Sequence, residues 1–159
     1  MSILEQPARK VADRRRRWVT AGLAACVLLT ILTGLVVGWF TVGFQLFGDR
    51  PDADDYESAA GAYGAAALVL VLSTGALTRP AAPRWVLVVA VAAAGLFTLL
   101  LLSSISDMAA AEPGTSTHSW QEGAFGVLGG PWAWPLVVLG LLRGGLRPED
   151  RTAGAPKPN

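Results

Sequence analysis

Side chains that carry redox, metal or acid–base chemistry are scarce in this chain. Among 159 residues there is one cysteine, Cys26, and one histidine, His118. A single cysteine excludes a disulfide within the chain, and a single histidine excludes a haem held by two histidines. No GxxxxGK[ST] loop is present to cradle a nucleotide phosphate, so ATP-driven work would require another subunit. We therefore expect no cofactor.

Charged residues are absent from four long stretches. The first, 18–48, contains no Asp, Glu, Lys or Arg. As a helix it would be about 45 Å long, which exceeds the roughly 30 Å hydrocarbon core of a bilayer. No ionisable residue typical of a proton relay lies well inside any stretch. The sequence predicts an all-α integral membrane protein with four transmembrane helices, at about 18–47, 58–77, 85–106 and 123–142.

The charges that are present flank these stretches and are segregated by sign. Six of the 13 Lys and Arg residues precede the first stretch and four follow the last, whereas eight of the 12 acids lie in the loops 49–57 and 107–122. By the positive-inside rule, residues 1–17 form a basic cytoplasmic tail and residues 144–159 a disordered cytoplasmic tail. The membrane domain, 18–143, is then an antiparallel up-down bundle with both termini inside.

This charge distribution also indicates the surroundings of the protein. Its basic residues lie beside apolar spans, so the expected partner is the lipid bilayer of a plasma membrane and not nucleic acid. The abundance of Ala, Gly, Val, Leu and Arg is typical of a bacterial genome rich in G and C.

The short link between the second and third spans, Thr78 to Arg84, forces those helices to lie antiparallel and adjacent.

Small residues recur every four positions in the first span, at Gly22, Cys26, Thr30, Gly34 and Gly38. On a helix this spacing forms one stripe, and its GxxxG end permits close approach of a second helix. The pattern predicts a packing face. It leaves open whether that face meets a helix of the same chain, a membrane-protein partner or a second copy.

The second span opens with a run of small residues, Ala59 to Gly64. Side chains of this size cover lipid-facing backbone poorly. We therefore expect this part of the second span to be packed against neighbouring helices.

The fourth span contains two glycines and two prolines near its centre: Gly129, Gly130, Pro131 and Pro135. These residues should kink or break the helix and free carbonyl groups that neighbours must satisfy. Broken helices at membrane depth often bind the solute of a transporter. The alternative is an outer amphipathic turn followed by a short helix that begins at Pro131.

The first acidic loop, 49–57, contains Asp52, Asp54 and Asp55, which invite interpretation as a Ca²⁺ or Mg²⁺ site. The glycine and closing glutamate of an EF-hand are missing, so a solvated loop is expected.

The second outer loop, 107–122, holds a weaker zinc candidate, formed by Asp107, Glu112, His118 and Glu122. A lone loop histidine without an HxH or HxxxH partner is more often a solvated residue, and we expect no metal.

In the same loop, Ser119 and Glu122 match a capping box, which predicts that a helix begins near Trp120.

Three classes of function are compatible with this pattern. The leading hypothesis is a non-enzymatic accessory, assembly or scaffold component that packs on a membrane partner. The alternative is a small oligomeric transporter or channel with its site at the break of the fourth span. An intramembrane enzyme would need a nucleophile among Ser103, Ser104 and Ser106 acting with His118, and no feature brings these together.

Overall fold

The computed structural model describes residues 5–43, 50–78, 82–113 and 119–145. These residues contain five helices and no strand, which confirms the all-helical class. Three helices are long and apolar enough to cross a membrane, and a fourth crossing is possible if the last two helices form one bent span. The helices are α1 (Glu5–Gly43), α2 (Ala53–Leu77), α3 (Arg84–Ala110), α4 (Trp120–Leu128) and α5 (Ala133–Gly145).

The centre of the fold is α2, on which all four other helices pack. Half of its most apolar window is buried, compared with 28% for α1 and 22% for α3. Its buried face consists largely of alanine and serine, with Leu70 and Leu77 as its largest fully buried side chains. Small side chains let several helices approach one axis closely. The expectation that the small-residue start of the second span packs against neighbouring helices is confirmed, since Ala59 and Ala62 are fully buried.

The helix α1 lies antiparallel to α2. Gly34 of α1 faces Ala66, and Gly38, one turn later, faces the ring of Tyr63, which comes earlier in α2. Residue numbers therefore increase in opposite directions along the two helices at this contact. Phe97 of α3 reaches the same place, because its ring also lies against Gly34.

The helix α3 is also antiparallel to α2. The backbone N–H of Ala53, at the start of α2, donates a hydrogen bond to the carbonyl of Glu112, just beyond the end of α3, at 3.2 Å. Along the same interface the rings of Tyr63 and Phe97 are tilted against one another, with centroids 6.1 Å apart.

The broken pair α4 and α5 runs parallel to α2. Gly123 of α4 lies against the backbone of Ser58, and Gly140 of α5 lies against the backbone of Leu72. In both contacts a backbone carbonyl occupies the space that a Cβ on the glycine would need. These two glycines therefore set how closely each half of the pair can approach α2.

The helix bounds differ from the sequence-based spans mainly at the polar ends. Helix α1 begins at Glu5, inside the predicted basic tail, and α2 begins at Ala53 instead of near residue 58. Both extensions are polar, so hydropathy alone could not identify them as helix. Residues 44–47 of the predicted first span and residues 146–159 of the predicted tail lie outside the described residues.

We predict that Gly140→Ala destabilises the protein by about 1–3 kcal/mol, the usual cost of overpacking. The added methyl would meet the carbonyl of Leu72, which is backbone and cannot rotate away. Thermal unfolding of the purified protein in detergent would measure the change. The matched control is Gly22→Ala, because no described atom lies within 4 Å of a Cβ at Gly22. Equal melting temperatures for the two variants would contradict this account of the interface.

Candidate functional site

The small-residue stripe of α1 divides into an inward and an outward part. Gly34 and Gly38 are buried against α2, and a Cβ on Gly34 would lie 2.7 Å from the Cβ of Ala66. Thr30 is fully buried, and Cys26 is half-buried. Gly22 is exposed. The two glycines of the GxxxG pair thus contact helices of their own chain.

Six hydroxyl groups of the long helices donate to backbone carbonyls of the helix that carries them. The Thr30 hydroxyl donates to the carbonyl of Cys26 at 2.8 Å, and the Ser73 hydroxyl donates to the carbonyl of Leu70 at 2.7 Å. Thr33, Thr41, Thr74 and Thr98 do the same. Such bonds satisfy a hydroxyl without a partner on another helix. They leave these donors engaged and unavailable to a solute.

The candidate serine nucleophiles lie at the end of α3. Ser104 is buried, whereas Ser103 and Ser106 are exposed. The Ser103 hydroxyl lies 3.4 Å from the Asp107 carboxylate, one turn along the same helix. His118, which would have to act as their base, lies outside the described residues.

The break of the fourth span lies between Leu128 and Ala133, where α4 and α5 meet with a bend of 81°. Gly129, Gly130 and Pro131 lie within it. Pro135 is instead the third residue of α5. In the first turn of a helix the backbone N–H has no partner within the helix, so a proline there removes no hydrogen bond.

Three backbone N–H groups at the break form local hydrogen bonds. The N–H of Gly129 donates to the carbonyl of Phe125 at 2.8 Å, and the N–H of Gly130 donates to the carbonyl of Val127 at 3.2 Å. The N–H of Ala133 closes the next turn by donating to the carbonyl of Gly130 at 3.2 Å. These three N–H groups are therefore satisfied within the break itself, as they would have to be in hydrocarbon.

The tryptophans of the break differ in their hydrogen bonding. The Trp134 indole N–H donates to the carbonyl of Leu128 at 2.9 Å and so caps the end of α4. The Trp132 indole N–H is shielded from solvent and has no hydrogen-bond partner in the described part of the chain. The ring of Trp132 also lies beside Gly130, where a side chain would collide with it.

The acidic residues at the start of α2 form a helix cap, which corrects the expectation of a solvated loop. The Asp52 carboxylate accepts hydrogen bonds from the N–H groups of Asp54 and Asp55, both at 3.1 Å. The Asp55 carboxylate accepts one from the N–H of Asp52 at 3.0 Å and is only 1% exposed. This reciprocal pair is a capping box, with Asp in place of the usual Ser and Glu.

The cap of α4 differs from the predicted one. The helix begins at Trp120 as expected, but the side chain of Ser119 accepts no capping hydrogen bond, so that half of the predicted box is wrong. The Glu57 carboxylate of α2 lies in its place and accepts a bond from the N–H of Trp120 at 3.3 Å. The start of α4 is thereby fastened to α2.

The candidate zinc ligands are not brought together by the described residues. Asp107, Glu112 and Glu122 are all exposed, and His118 lies outside the described ranges. Within those ranges no group of three or more His, Cys, Asp or Glu side chains is placed to hold a metal ion.

A cleft that the sequence did not indicate lies between α1 and α3. It has a volume of about 210 Å³ and is lined by four residues of α1 between Ala24 and Leu28 and by Trp85, Val86 and Val89 of α3. All of these side chains are apolar apart from the indole N–H of Trp85. Only the three-dimensional arrangement reveals it, because the two helices are separated by α2 in the chain.

Comparison of the chain with protein-family models, with curated proteins and with solved structures found no match. The helices of the described residues define the class of a helical protein, with three helices there able to cross a membrane.

We predict that Asp52→Ala lowers the free energy of unfolding by about 1 kcal/mol, the usual cost of losing an N-cap. Ser119→Ala is the matched control, because its hydroxyl caps nothing and its loss should change stability by less than about 0.5 kcal/mol. Thermal melts in detergent would measure both. A larger loss from Ser119→Ala than from Asp52→Ala would contradict the assignment of the caps.

Proposed function

We propose that this protein is a four-span plasma-membrane protein without enzymatic activity that serves as an accessory, assembly or scaffold component for a membrane partner. In this proposal α1, α2, α3 and the bent pair α4–α5 are the four spans. Both termini lie in the cytoplasm, because Arg14, Arg15 and Arg17 precede the first span and the acidic ends of α2 and α3 lie opposite.

An exposed notch on α3 carries the proposal of a partner. Gly95 is exposed, and no described atom lies within 4 Å of the position of a Cβ there. Ala92, one turn earlier on nearly the same face, is exposed as well. Large apolar side chains flank the two, with Val88 65% and Leu99 65% exposed. A small-residue depression between large side chains is the surface on which a second membrane helix packs closely.

The glycines of α1 that face inward give no comparable support. Gly34 and Gly38 already contact α2 and α3, so a partner could reach them only by displacing those helices. Replacing them would disturb the fold of the chain itself. A test of the partner must therefore use glycines on the outer surface.

We expect a membrane-protein partner to co-purify with the full-length chain in mild detergent and to be lost from the Gly95→Leu variant. Leucine would fill the notch and prevent close helix contact. Chemical cross-linking with mass spectrometry would identify the partner and the contact. The control is Gly22→Leu, which adds the same side chain to an open position of α1. Loss of the partner from the Gly22 variant alone would place the contact elsewhere, and no stoichiometric partner for the wild type would refute the proposal.

A second candidate function is a small oligomeric transporter or channel with its site at the break. The observation in its favour is the shielded indole N–H of Trp132, which has no described partner and could donate to a solute. This candidate predicts solute flux in reconstituted vesicles that falls in Trp132→Phe, which removes only the donor. Trp134→Phe is the comparison, because that donor already caps α4. Absence of any flux would eliminate the candidate.

A further inference from the structure

The cleft between α1 and α3 has a closed floor and an open front. Val27 and Val86 are each 2% exposed and form its floor. Leu28 and Trp85 form its walls and remain 56% and 60% exposed. In a membrane-embedded chain, a concave apolar surface that opens between α1 and α3 would face lipid. It is shaped to receive a narrow apolar chain from the side.

Two exposed arginines lie toward the end of the cleft at which α1 and α3 begin, which we call its mouth. Arg17 precedes Ala24 by two helical turns and lies on the same face of α1. Arg84 directly precedes Trp85 at the start of α3. Both guanidinium groups are exposed, and neither is ion-paired to a carboxylate of the described residues. Each charge is therefore available to an anion.

The start of α3 adds the backbone N–H groups of Arg84 and Trp85 as donors, whereas the N–H of Val86 already donates to the carbonyl of Pro83 at 3.1 Å. Its N-cap is Pro83, which makes no side-chain capping bond. The first N–H groups of a helix, together with its dipole, favour a phosphate group. Arginine is the side chain best suited to bind phosphate oxygens in pairs. The basic mouth and the apolar cleft are therefore complementary to the two parts of one amphipathic molecule.

We propose that this cleft binds an anionic phospholipid, with one acyl chain against Val27, Val86 and Leu28 and the phosphate between Arg17 and Arg84. A zwitterionic lipid would place an additional positive charge beside the two arginines and would bind less well. Basic pockets between transmembrane helices are known to hold anionic head groups. The site is independent of the partner notch, because it needs neither Gly95 nor a second protein.

The test uses the full-length protein, purified and delipidated in detergent, and native mass spectrometry to count bound lipids. The probes are palmitoyl-oleoyl phosphatidylglycerol and the phosphatidylcholine with the same acyl chains. We expect the wild type to retain one phosphatidylglycerol in preference to phosphatidylcholine. The double variant Arg17→Gln, Arg84→Gln should weaken that binding by about fivefold for each arginine replaced.

A second variant separates the cleft from the charge. Ala24→Phe should fill the cleft and abolish retention while leaving both arginines in place, and Val89→Phe does so from the opposite wall if the first fails to fold. Arg50→Gln and Val91→Phe are the controls, since Arg50 lies at the other end of the molecule and Val91 faces away from Trp85. Both controls should bind as the wild type does.

Three results would overturn the proposal. Equal retention of the two lipids would show that the arginines select no anion. Unchanged retention in a folded cleft-filling variant would show that the lipid adsorbs by charge alone. Displacement of the lipid by an equal concentration of glycerol 3-phosphate, which has no acyl chain, would assign the binding to the head group without the cleft.

Discussion

Close approach of backbones along α2 is the constraint on which this structure depends. At Ser58 and Leu72 the backbone of α2 touches glycines of α4 and α5, and the Cβ of Ala66 faces Gly34 of α1. Inside a bilayer the lipid tails are as apolar as the side chains of a helix, so the hydrophobic effect contributes little to helix association. Close packing must therefore supply the attraction between helices. The alanine-rich composition of α2 makes such packing possible on several sides at once. A larger residue in place of Gly34, Gly123 or Gly140 would separate two helices.

Much of the fold follows from the sequence, because hydropathy and small-residue spacing report directly on helices in lipid. The long apolar stretches became α1, α2 and α3, and the expectation of a packed start for the second span was met. The acidic residues at 52–55 were harder to interpret. Their role depends on which N–H groups they face. In the sequence alone, several nearby aspartates are equally compatible with a loop, a cation site or a helix cap.

The surfaces outside the helix core could not be found from sequence. Trp85 and Ala24 line one cleft although 60 positions lie between them, and only the way α1 and α3 rest on α2 brings them together. The Glu57 cap of α4 is a contact of the same kind, because it joins two helices across 63 positions. Such pairings depend on tertiary geometry, for which neither residue carries a local signal.

The break between α4 and α5 illustrates how the polar groups freed by an interrupted helix are accommodated. Glycine and proline free backbone groups there, and each unsatisfied group would cost several kcal/mol in hydrocarbon. The chain meets this cost with turn hydrogen bonds at Gly129, Gly130 and Ala133 and with the Trp134 indole. A solute at the break would have to compete with these bonds, and Trp132 offers it a single donor. One donor cannot replace the hydration shell of an ion. Contacts at Gly123 and Gly140 also hold α4 and α5 against α2. Together these observations favour a structural role for the break over a transport site.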